Sequence, residues 1–89
     1  MLRLKIVSPE SIVYDGPVDS VTVPGTMGAF QILNNHAPII SSLEKGIVEY
    51  AVDGERKHFS IDGGFVEVQK NQVSLCVEME IVDGTDGSN

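Results

Sequence analysis

Residues 47–61 read IVEYAVDGERKHFSI, and this stretch decides the fold class. Ile47 to Val52 is rich in β-branched and aromatic residues, which suit a pleated, half-buried surface. Arg56 to Ile61 is a second run of the same kind. Between them stands Asp53-Gly54, the pair favoured where a two-residue hairpin loop needs positive φ at both central positions. The stretch therefore predicts two antiparallel strands joined by a type I′ turn.

The same period extends outward in both directions. Leu2, Leu4 and Ile6 alternate with Arg3 and Lys5, the pattern of a strand with one wet face. Ile12–Tyr14 is a short run stopped by Asp15-Gly16-Pro17, and Val18–Val23 is another, ended by Pro24-Gly25. Ala29–Leu33, Pro38–Leu43, Phe65–Val68 and Val73–Val77 are further strand candidates. Asp62-Gly63-Gly64 reads as a corner, and Glu78 and Glu80 as the wet face of a terminal strand. No helix longer than a turn is predicted. Short strands spaced about ten residues apart imply an all-β sandwich or flattened barrel.

Composition agrees with this reading. The 89 residues make one domain, with 42% apolar and 6% aromatic residues and no Trp, so the core must be built from Val, Ile and Leu. Residues 1–82 are expected to form the sandwich and residues 83–89, polar and glycine-rich, a flexible tail. Cys76 is the one cysteine; its neighbours Val73, Leu75 and Val77 suggest a small buried hydrophobe. No apolar run approaches a signal peptide core or the roughly 20 residues of a membrane span, and a soluble cytoplasmic protein is expected. A net charge of −7, with basic residues scattered, disfavours nucleic acid and bare anionic lipid.

The residue types that carry chemistry do not converge. His36 and His58 have no second His or Cys at ligand spacing, so no metal site is expected. Ser41 or Ser42 with His36 would make a hydrolase on paper, without the Gly-x-Ser-x-Gly elbow such a nucleophile uses. The glycine pairs open no helix and lead to no Gly-Lys-Ser/Thr, so they form turns, not phosphate loops. A binding or structural module is the stronger expectation, with a free-standing ligand-binding sandwich as the alternative.

Several motifs together point further. Val7-Ser8-Pro9-Glu10, Tyr14-Asp15-Gly16, Val21-Thr22-Val23-Pro24-Gly25-Thr26-Met27-Gly28, Asn35-His36-Ala37-Pro38, Lys45-Gly46, Asp62-Gly63-Gly64-Phe65-Val66-Glu67-Val68 and Asn71-Gln72-Val73 follow one another in this order. This series closely resembles the N-terminal domain of the ε subunits of bacterial F-type ATP synthase, called δ in mitochondria. The resemblance covers the chain to about Val82. It implies a ten-stranded flattened β-sandwich in the rotating central stalk, at the cytoplasmic face of the bacterial inner membrane. It implies binding to the γ subunit and to the membrane-embedded c-ring, so that proton flow is coupled to ATP synthesis. It implies no catalytic residue, cofactor, metal, small-molecule substrate or direct membrane insertion.

Carried over by position, Thr26, Met27, Gly28, Ala29, Gln31, Asn34, Asn35 and His36 fall where the family meets the c-ring and adjoining γ. Ala37, Pro38, Ile39, Ile40, Ser41 and Ser42 would lie toward γ, and alternation lets only every second one face outward. Where many relatives have an acidic residue in the Gly-x-x-Gly-x region and Pro-Gly before the histidine, this chain has Met27, Ala29 and Asn34-Asn35. Polar or apolar packing against the ring is therefore expected in place of a charged contact. The family's longer members continue into a pair of helices that act as a brake on hydrolysis and in some bind ATP. With the sequence ending at Asn89, neither property is expected here.

Overall fold

Side chains on successive strand residues point to opposite faces, so a sequence that alternates builds a wall with one dry side. The computed structural model describes residues 1–79, and among them there are eight strands and no helix. They are β1 (Arg3–Val7), β2 (Ile12–Pro17), β3 (Ser20–Gly25), β4 (Gly28–Ile32), β5 (Ile39–Leu43), β6 (Gly46–Val52), β7 (Glu55–Gln69) and β8 (Gln72–Met79).

The eight strands form one hydrogen-bonded sheet folded over on itself: pairing runs β2-β1-β8-β7-β5 and, on from the other half of β7, β7-β6-β3-β4, with β5 joined to β3 at Leu43↔Gly25. These are the two layers of the sandwich. Their inner faces meet in a core of Leu4, Ile6, Val66, Val68, Val73 and Leu75 from the first layer against Val21, Val23, Ile32, Val48 and Ile61 from the second, each 0% or 1% exposed. Burying each such side chain contributes about 1.5–3 kcal/mol. At one margin Tyr14 of β2 lies against Tyr50 of β6, ring centroids 4.9 Å apart, and Tyr50 meets Phe59 edge-on at 6.3 Å.

The Asp53-Gly54 hairpin forms as its sequence predicts. Asp53 and Gly54 have φ of 51° and 81°, and β6 and β7 pair in unbroken register from Val52↔Glu55 to Gly46↔Ile61.

The strand count among the described residues is eight, where ten were expected. Arg56–Ile61 and Phe65–Val68 are two parts of one 15-residue strand, β7, and Asp62-Gly63-Gly64 is not a corner. The chain continues through it as a bulge, where the register against β8 shifts between Ile61 and Gly63. The same strand thus pairs with β6 before the bulge and with β5 and β8 after it, passing from one layer to the other. Gly64, at φ 147°, makes this possible because β8 crosses very close by. A Cβ built there would sit 2.2 Å from the Cys76 carbonyl oxygen and 2.8 Å from Val77 Cα. Glu78 belongs to β8, not to a separate strand, and its exposed side confirms the wet face. Glu80 and the tail expected at 83–89 lie outside the described residues.

Candidate partner-binding surface

The β3–β4 hairpin positions the first group of expected contact residues. Val21, Val23 and Ile32 are fully buried and hold both strands down, which leaves the loop Thr26-Met27 to project. Met27 is 98% exposed. The tip is fastened at its base, where the Thr26 N–H donates to the Ser42 carbonyl (3.1 Å) and the Glu44 N–H to the Pro24 carbonyl (2.9 Å). Along β4, Ala29 and Gln31 face solvent, while Phe30 turns inward and packs against the core.

The second group occupies the turn after β4. The His36 N–H donates to the Leu33 carbonyl (3.2 Å), and Asn35 at the bend has φ 66°. His36 Nδ1 lies 2.8 Å from the Ala37 carbonyl, which can only accept, so Nδ1 carries the proton. Its ring is tilted at 37° to that of Phe30, centroids 6.5 Å apart. His36, which on paper could pair with Ser41 or Ser42, is thus a half-buried corner residue bonded to backbone. Thr26, Met27, Gly28 and Ala29 stand at one end of β4 and Asn34, Asn35 and His36 beyond the other, roughly 20 Å away at the rise of a strand. The structure does not gather them into one cluster; Gln31 lies on the outer face between.

β5 presents the third group. Ala37 and Pro38 are exposed before the strand begins. Within it Ile40 and Ser42 face outward, Ile40 being 74% exposed, while Ile39 and Ser41 are half-buried on the inner side. Pairing places Glu67 beside Ile40 and Phe65 beside Ser42. The Phe65 row continues through Cys76 of β8 to Val7 of β1. The outer face therefore carries an apolar strip that the sequence reading missed, with a depression of about 410 Å³ beside it whose lining includes Val7, Ser8, Pro9, Phe65, Cys76 and Glu78. Its signal was present. Once Val66 and Val68 are assigned inward by their alternation, Phe65 must point out. Cys76 is corrected by the same logic: Val73, Leu75 and Val77 point inward, so the residue between them lies on the opposite face and is only half-buried.

No catalytic arrangement forms among the described residues. Ser41 Oγ donates to the Ser42 carbonyl (3.2 Å), His36 Nδ1 is engaged with backbone, and no group of three or more His, Cys, Asp or Glu is placed to hold a metal. Arg3–Asp15, Arg56–Glu49 and Lys57–Glu55 are ion pairs at the surface, of a kind that contributes little to stability. No helix is long and apolar enough to cross a membrane among those residues.

The chain belongs to the family described as ATP synthase, Delta/Epsilon chain, beta-sandwich domain, whose model matches residues 1–82. It is 44% identical over 77 residues to the ATP synthase epsilon chain of Leptospira borgpetersenii serovar Hardjo-bovis, covering 86% of this chain and 61% of that one. It is 43% identical over 75 residues to the epsilon chain of Desulfitobacterium hafniense, covering 84% and 57%. The chain thus spans about three-fifths of the length of these relatives. Among solved structures, a chain of the Euglena gracilis mitochondrial ATP synthase superposes with a TM-score of 0.81 at 23% identity, covering 85% of this chain and 49% of that one. One from the Tetrahymena thermophila central stalk and c-ring gives 0.74 at 18%, covering 86% and 63%. These two likenesses concern the fold.

Proposed function

We propose that this chain supplies the β-sandwich of an ε-type rotor subunit, a non-catalytic part of an F-type ATP synthase that docks on γ and the c-ring. The observation that carries the reading is the family match over residues 1–82. In this reading the domain works at the cytoplasmic face of a bacterial membrane and helps couple proton flow to ATP synthesis. The β3–β4 tip with Met27 meets the ring, by apolar packing where an acidic residue would otherwise make a charged contact. Gln31 and the turn from Asn34 to His36 adjoin both partners, and the segment from Ala37 to Ser42 faces γ through its outward residues, Ile40 above all. The test is native mass spectrometry of this chain mixed with the γ subunit encoded alongside it. A one-to-one complex, weakened by Ile40→Asp and not by the inward Ser41→Ala, is expected. Absence of a complex at micromolar concentration would overturn the reading.

A further inference from the structure

The turn that carries Asn34, Asn35 and His36 has no strand pairing of its own, so something else must fix its shape. Its bonds to Ala37 and Leu33 are local. Among the described residues, the hydrogen bonds that tie residues 33–38 to a distant part of the chain both go to Asn71, 36 positions along. The Asn35 N–H donates to Asn71 Oδ1 at 2.6 Å, and Asn71 Nδ2 donates to Asn35 Oδ1 at 3.3 Å. Asn71 is itself held. It sits in the β7–β8 turn with Lys70, at φ 63° and 51°, and its carbonyl accepts from the Arg3 N–H at 2.9 Å. One residue therefore joins three segments, its backbone carbonyl tying the β7–β8 turn to the start of β1 and its carboxamide tying that turn to the one after β4.

We propose that Asn71 is a positioning residue, whose carboxamide clasps Asn35 and sets the conformation in which Asn34, Asn35 and His36 are presented to a partner. The presenting role rests on the function proposed above; the clasp does not. A short amide side chain suits this place for two reasons. Asn tolerates the left-handed backbone that the turn requires, and it offers an acceptor and a donor on the same planar group. Glycine would satisfy only the first.

Two variants separate these roles. Asn71→Gly keeps the left-handed turn and removes the carboxamide; Asn71→Asp keeps an acceptor for the Asn35 N–H, and the Asn35 amide can rotate to donate to it. Amide hydrogen exchange of the whole chain, read residue by residue by NMR, reports the clasp. In Asn71→Gly the Asn35 amide should exchange faster by the factor one hydrogen bond supplies, roughly fivefold, with the core amides of Val66, Val68 and Leu75 unchanged. Asn71→Asp should restore it. Affinity for γ, measured by titration calorimetry, should fall in Asn71→Gly by roughly the same factor and recover in Asn71→Asp. Unchanged Asn35 exchange in Asn71→Gly would overturn the clasp; a freed Asn35 with undiminished γ affinity would overturn its role in presentation. If the unaltered chain binds no γ, the proposed function and the presenting role fall together, and Asn35 exchange still decides the clasp.

Discussion

Asp53-Gly54 and Asp62-Gly63-Gly64 lie nine residues apart and spell nearly the same signal, yet the first reverses the chain and the second does not. In the first, glycine is needed for its backbone freedom: Gly54 has φ 81°, and a Cβ there would meet nothing within 4 Å. In the second, Gly64 is needed mainly because a neighbouring strand occupies the space its side chain would fill. The lesson is that a glycine after an aspartate announces an unusual backbone, and that the surrounding sheet decides whether the result is a turn or a bulge.

Substitution should separate the two cases sharply. Gly64→Ala drives a Cβ into the β8 backbone, which no side-chain rotation can relieve, and is expected to cost about 4 kcal/mol or more, enough to threaten folding. Urea unfolding monitored by tyrosine fluorescence measures it; a cost under about 1 kcal/mol would erase the contrast. Gly54→Ala meets only the conformational penalty of a left-handed residue, about 1–2 kcal/mol, with the sandwich intact by circular dichroism. The smallest effect belongs to Asp19→Ala. Asp19 Oδ2 accepts from the Gly54 N–H at 3.1 Å in an exposed setting, and its loss should cost about 0.5 kcal/mol, seen as a small shift in the urea midpoint. Were Asp19→Ala to cost as much as Gly54→Ala, the hairpin would depend on its anchor as much as on its own geometry.

Much of the architecture was legible because alternation is a local property. Leu4 and Ile6, Val21 and Val23, and Val73 and Leu75 all face the core as their spacing requires. The hairpin at Asp53-Gly54 was legible for the same reason, since its turn chemistry is complete within two residues. The continuity of β7 was not, because it depends on β5, β6 and β8 lining both of its halves, and pairing partners leave no mark on the strand they extend. The outward apolar strip of Val7, Phe65 and Cys76 was half legible: alternation orients each residue singly, but only the register lines them up across three strands. The Asn35–Asn71 clasp left no local signal at all, since each asparagine by itself reads as a turn former.

The placement of β1 carries a consequence for the way the molecule is made. It pairs in parallel with β8, Arg3 against Gln72 through Val7 against Cys76, and lies between β8 and β2. During synthesis its early partner is β2, in an antiparallel arrangement a few residues away; the other edge must wait until some seventy more residues have been added. A strand made before the seven others in the described sheet is thus among the last to be fully covered. Contacts of such long sequence separation place the chain among slow folders, on the order of milliseconds to seconds. Until β8 arrives, Leu4 and Ile6 belong to an unfinished wall, and this is the interval in which a chaperone would find the chain most receptive.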